Sequence, residues 1–172
     1  MGISSDQHIT VVYGLMPLAQ QHEFVFQYHV NSEIDRLSRE GLKFGDGLYI
    51  SGANVWPVPG SKEEPAHCTV VLAVESKDEG SFYNRLREAL YKVYPVFNRF
   101  GHGVHRAHVT VAYIRDPRDK ENSDIEHTMA TSNELKSILE KQFKGKPLDV
   151  KDVFADDNDF GFYGKLPGKP II

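Results

Sequence analysis

The sequence predicts an α+β fold with antiparallel sheets. Short β-branched and aromatic runs are bounded by glycine and proline, amphipathic helical stretches lie among them, and the two kinds of element are mixed rather than strictly alternating. A chain of 172 residues is long enough for one domain, taken here as 1–172, with an apolar interior that needs no covalent staple. Hydrophobic residues make up 40% and charged residues 26%, ordinary globular usage that excludes long disorder and fibrous repeats.

The elements follow in order. His8 to Gly14 is a β-branched and aromatic run that stops at glycine, so it reads as a strand. From Leu18 to Glu40 the apolar positions Phe24, Val25, Tyr28, Ile34 and Leu37 recur at helical spacing. An interruption is expected at Asn31-Ser32, with Ser32 capping a second helix that ends at Gly41. A glycine-punctuated strand at 48–56 leads into the loop Pro57 to Pro65, a surface hairpin connection. His67 to Glu75 forms the next strand, and Ser76 to Asp78 offer caps for a helix whose apolar face carries Phe82, Leu86, Leu90 and Val93. Residues 107–114 make a further strand, ended by the charged segment Arg115 to Lys120. Asn133 to Phe143 reads as a helix with Leu135, Ile138, Leu139 and Phe143 inward. Strands around Leu148–Phe154 and Phe160–Leu166 flank the polar turn Asp156 to Asp159, which predicts a β-hairpin.

Charge and cysteine content narrow the function. Lys and Arg total 20 against 24 Asp and Glu, for a formal charge of -4. Proteins that grip long duplexes through many phosphates carry a basic excess, so duplex DNA is not an expected partner. A small or short-stranded anionic ligand in a locally positive cleft remains compatible. The lone Cys68 cannot pair within the chain and favours a reducing, cytoplasmic setting. No stretch approaches the roughly 18 apolar residues of a membrane span, and the N-terminus lacks a secretory pattern, so a membrane association is not expected.

The strand at 8 reads His-Ile-Thr-Val-Val-Tyr and the strand at 108 reads His-Val-Thr-Val-Ala-Tyr. With five threonines and eight histidines in 172 residues, chance supplies about 0.2 of a His-x-Thr triplet, yet three occur, at His8, His67 and His108. Strand alternation sends the His and the Thr two residues on to the same face. Each triplet therefore presents an imidazole beside a hydroxyl. Two such strands brought together would surround a phosphate with two groups that titrate near neutrality and two hydroxyls for its oxygens. One imidazole can take a proton while the other gives one, without a metal. A single His-x-Thr is by itself more commonly a hydrogen-bonded structural pair; the matched flanks of the duplicated copies argue for more.

On these residues the chain resembles the 2H phosphoesterase superfamily, whose pattern is two His-x-Thr/Ser motifs, each embedded in an apolar strand. His8-Ile-Thr10-Val11 looks like the first motif and His108-Val-Thr110-Val111 like the second, and the wording His-x-Thr-Val-x-Tyr is most similar to phage or viral members. The resemblance implies a bilobal fold, two pseudo-symmetric lobes with antiparallel sheets facing a central cleft and helices outside. It implies a metal-independent phosphodiesterase without a cofactor, hydrolysing 2',3'-cyclic phosphates or 2',5'-linked nucleotides or RNA ends, with His8, Thr10, His108 and Thr110 as catalytic residues. Two other readings share the cleft: removal of a nucleotide immune signal such as 2',5'-oligoadenylate or a cyclic oligonucleotide, and non-catalytic nucleotide binding. One departure is that family members usually have a strand and helix before the first motif, where only seven residues precede His8. Either the sequence begins at an internal boundary of a longer protein, or the arrangement is permuted and the C-terminal hairpin at 148–166 supplies the missing strand.

The third triplet, His67-Cys-Thr69, lacks the Val-x-Tyr continuation and is expected to open a strand rather than join the site. Arg106 shares the parity of His108 and Thr110 and is a candidate phosphate clamp; a solvated arginine at a strand start is the alternative. Trp56, with Tyr49 and Phe162, could stack a nucleobase, although an aromatic of this kind is more often core. Tyr13 and Tyr113 have the opposite parity and are expected beneath the sheet against helices. The run His102, His105, His108 invites a metal reading, but no nearby carboxylate or cysteine completes a ligand set, so no metal is expected.

Overall fold

A computed structural model describes residues 8–12, 28, 31–43, 45–93, 107–148, 150, 152–156 and 161–165. Among the described residues the elements run in the order β1 (His8–Val12), α1 (31–39), β2 (Leu48–Val58), β3 (His67–Ser76), α2 (Phe82–Val93), β4 (His108–Ile114), α3 (Glu126–Phe143), β5 (Asp152–Asp156) and β6 (Gly161–Lys165). The α+β class and the antiparallel pairing agree with the sequence. The strands β2, β3 and β4 make a three-stranded antiparallel sheet, and β1, β6 and β5 continue it, in the order β2-β3-β4-β1-β6-β5.

This order has an internal logic. A strand, a helix and a two-stranded hairpin follow one another twice, as β1-α1-β2-β3 and, after α2, as β4-α3-β5-β6. Each hairpin pairs with the first strand of the other unit: β3 with β4, and β6 with β1. The two first strands then meet each other at the middle of the sheet, with Ile9 opposite Val109. They are the two strands that carry the matched His-x-Thr motifs. The C-terminal hairpin does supply the neighbour of β1, in the register His8↔Lys165, Ile9↔Gly164 and Thr10↔Tyr163.

Burial explains why the middle of the sheet holds. Ile9 and Val109 are fully buried and join Leu72, Leu86, Leu37 and Leu139 in one apolar cluster. Fully burying such a side chain is worth about 1.5–3 kcal/mol relative to exposing it. α1 contributes Leu37 and stops at Gly41, whose φ of +82° only glycine adopts without strain, and the Leu42 N–H closes back onto the Leu37 carbonyl at 3.2 Å. Ser32 lies within α1 rather than capping it, and Tyr28 is 69% exposed rather than inward. α2 is capped by Ser81, whose hydroxyl accepts the Asn84 N–H at 3.3 Å; Ser76 and Asp78 instead tie the preceding turn. The outer edge of β2 is covered by residues 145–148, with Ile50 donating to the Lys146 carbonyl at 2.9 Å and Leu148 to the Leu48 carbonyl at 3.0 Å. No helix among the described residues is long and apolar enough to cross a membrane.

α3 departs most from expectation. It begins at Glu126, seven residues before Asn133, and Ile138 is 51% exposed while Thr128, Ser132 and Leu139 are buried. Its N-cap position, Ile125, has no capping side chain. The cap is supplied from a distance: the buried Asp119 carboxylate accepts the His127 N–H at 3.1 Å, the Thr128 N–H at 2.8 Å and the Thr128 hydroxyl at 2.6 Å. A carboxylate at this end also complements the helix dipole.

Candidate active site

β4 positions the second motif. Val109 turns into the core, so alternation turns His108 and Thr110 to the opposite face, where both are half-buried. Residues directly opposite in an antiparallel pair share a face, and Ile9 stands opposite Val109 with both fully buried. Strand positions 8 and 10 therefore have the parity of 108 and 110. The two motifs, 100 residues apart in the chain, flank one shared register point, and the side chains of His8 and Thr10 lie outside the described residues.

His108 lines a cleft of about 750 Å³ together with Trp56 and Asn54 of β2, Arg87 of α2, and Lys136 and Glu140 of α3. Thr110, two residues further along β4, lies outside that lining. The Trp56 ring meets the His108 ring edge to face, with centroids 4.5 Å apart and planes at 72°. An edge-to-face contact of this kind holds the imidazole in place. Arg87 also lies over the Tyr83 ring at 5.9 Å. Glu140 Oε1 accepts the Ala53 N–H at 3.3 Å, which ties α3 to the cleft wall. The lining thus combines the His108 imidazole, the Trp56 indole, the cations Arg87 and Lys136 and the carboxylates Glu75 and Glu140.

Sequence reasoning missed Arg87, Lys136 and Glu140 as lining residues. On their helices they are ordinary solvated charges, and only the packing of α2 and α3 brings them to β4. Arg106 and Phe162's side chain lie outside the described residues, as do Tyr13, His102 and His105. Tyr49 does not offer an open ring: its hydroxyl donates to Glu75 Oε2 at 2.9 Å, which pushes the phenol pKa up, and Lys77 sits 5.6 Å over its face.

The third triplet is set apart. His67 opens β3, with Nδ1 3.3 Å from the Pro65 carbonyl. The strand position that pairs with His108 is Ala73, six residues on and about 20 Å away at the usual rise of a strand. His67 and His108 cannot share one phosphorus. Tyr113 corrects another expectation. The pairing jumps from Val71↔Thr110 to Val70↔Ala112, so Val111 is an extra residue on β4 and the parity beyond it reverses. Tyr113 consequently stands on the same face as His108, 43% exposed, opposite Thr69 and with its ring 6.4 Å from that of His67.

The charged segment after β4 is an anchor rather than a solvated terminus. Arg115 donates to the carbonyls of Ala66, Asp119, Glu121 and Asp124. Asp116 is held by Arg118 at 2.7 Å and by the Thr131 hydroxyl at 2.9 Å. These contacts, the Arg118 guanidinium first, hold the Asp116 carboxyl well below the usual carboxylate range. Burial alone would raise the Asp119 carboxyl, but the hydrogen bonds from Thr128 and His127 outweigh it and the net shift is likewise downward. Through this network the end of β4 fixes α3, and with it Lys136 and Glu140.

No protein-family model matches the chain, no curated protein is significantly similar to it, and no solved structure matches its fold.

Proposed function

We propose that the protein is a phosphodiesterase of the two-histidine kind, acting on a nucleotide or RNA end without a metal. The observation that carries this reading is the meeting of β1 and β4 at Ile9↔Val109, which sets two matched His-x-Thr motifs side by side at the centre of the sheet. The cleft beside His108, with Trp56 and the cations Arg87 and Lys136, supports a ligand with a base and a phosphate. The bilobal arrangement belongs to the same proposal. The sheet divides into two three-stranded halves, β2-β3-β4 and β1-β6-β5, each with its motif strand innermost and its hairpin outside.

The working mechanism gives each imidazole one task. His108 takes a proton from water, whose oxygen attacks the phosphorus; the bond from phosphorus to the leaving oxygen breaks, and His8 protonates that oxygen. Thr10 and Thr110 hydrogen-bond the non-bridging oxygens and keep the attack in line. Since one imidazole must be neutral and the other protonated, kcat/KM is bell-shaped in pH.

The test is incubation with 2',3'-cyclic mononucleotides, 2',5'-linked oligomers and 3',5'-cyclic dinucleotides in EDTA. Product from the first two classes is the expected result. Product from the cyclic dinucleotide or 2',5'-oligoadenylate alone assigns the enzyme to removal of a nucleotide signal. Tight binding with no product from any of the three overturns the catalytic reading in favour of a nucleotide-binding protein.

A further inference from the structure

We propose that the face of the sheet next to the cleft is a track for one nucleic-acid strand, so that the preferred substrate is an oligonucleotide with bases stacked on Trp56 and Tyr113 while a phosphodiester lies at His108. This rests on the phosphodiesterase reading and names its substrate class.

The register supplies the track. Trp56 stands opposite Thr69, and Thr69 opposite Tyr113, so the three form a straight row across β2, β3 and β4. At the usual strand separation the two aromatic residues are rooted about 10 Å apart, with the Thr69 side chain between them. Tyr113 reaches this face only because Val111 is inserted in β4, and bulges of this kind re-aim side chains beside active sites. His67 meets the Tyr113 ring at 67° between planes, edge to face, an arrangement that steadies the ring. At the other end Trp56 meets His108, so the row is continuous with the cleft.

A pair of aromatic rings on neighbouring strands of an antiparallel sheet is a stacking platform for successive unpaired bases, and it accepts any base because every base has a π-face. A duplex, whose bases are already stacked on one another, gains nothing from it. The acidic net charge of the chain agrees with a short single strand held by stacking rather than a long polyanion held by many cations. The third His-x-Thr, which the two-histidine chemistry leaves unused, acquires a place: Thr69 lies at the centre of the row and His67 at its end.

The test measures kcat/KM for a 2',3'-cyclic mononucleotide and for a tetranucleotide ending in the same cyclic phosphate, and in parallel the binding of a 5'-fluorescent tetradeoxyadenylate by anisotropy. The expected ratio of tetranucleotide to mononucleotide is at least about tenfold, falling about tenfold in Tyr113→Ala and restored in Tyr113→Phe. Tetradeoxyadenylate binding should weaken in Tyr113→Ala by a similar factor. Equal kcat/KM for the two lengths, with turnover of both, overturns the track and leaves the phosphodiesterase reading intact. Absence of turnover overturns that reading, and the binding arm still decides the track: equal binding by the wild-type and Tyr113→Ala proteins, or no binding by either, removes it.

Discussion

The His-x-Thr triplets at 67 and 108 stand on neighbouring antiparallel strands and are built from the same residues, yet they occupy different worlds. His108 sits in a cleft against Trp56, on a strand whose other neighbour carries a second matched motif. His67 opens its strand beside a proline carbonyl and a half-exposed tyrosine, about 20 Å along β3 from the position that faces His108. The triplet therefore fixes only that an imidazole and a hydroxyl share a face. What chemistry they support is decided by the strand alongside and by its register.

Three measurements sharpen or break that contrast. The largest effect belongs to the paired motifs: His8→Ala and His108→Ala should each lower turnover of a 2',3'-cyclic mononucleotide by about a thousandfold, the range of a lost general acid or base. Full activity in His8→Ala would show that β1 contributes no catalytic group. Trp56→Ala should cost about tenfold in kcat/KM, the scale of one lost stack. His67→Ala should leave most of the turnover of the same substrate; a loss matching that of His108→Ala would erase the distinction between the triplets.

Two further measurements concern the anchor behind β4 and the core. Asp116 and Asp119 have native pKa values below their unfolded ones, so the unfolded state binds more protons as the pH drops. Their contribution to stability is full above about pH 4 and is lost as the pH falls from there toward the depressed native values. Urea midpoints followed from pH 7 to pH 3 should decline below about pH 4, and Asp119→Asn should flatten that decline while lowering the midpoint at neutral pH. An unchanged acid limb in Asp119→Asn would remove Asp119 from the anchor. Within the core, Leu139→Ala should cost about 2–5 kcal/mol, since that side chain is fully buried and couples α3 to the sheet.

Much of the fold could be read from local pattern. The strand at His67, the helix end at Gly41 and the C-terminal hairpin follow from β-branched runs, a left-handed glycine and a polar turn, signals complete within a few residues. α3 was legible only from Asn133 onward, because the first turns, His127 to Ser132, are capped by Asp119 and bury threonine and serine rather than an apolar stripe. Tyr113 was misread for a different reason. Parity was counted along an unbroken strand, and a single inserted residue, Val111, reverses it. Of the candidate site, the residues proposed to do the chemistry were legible as a duplicated triplet, whereas Arg87, Lys136 and Glu140 carry no mark that distinguishes them from other surface charges.

The sequence by itself determined that three imidazole and hydroxyl pairs would each be displayed on one face of a strand, since alternation is a property of the backbone and needs no partner. Only the tertiary structure decided which two of the three triplets become neighbours, because strand pairing joins residues 100 apart through hydrogen bonds and burial that no local window contains.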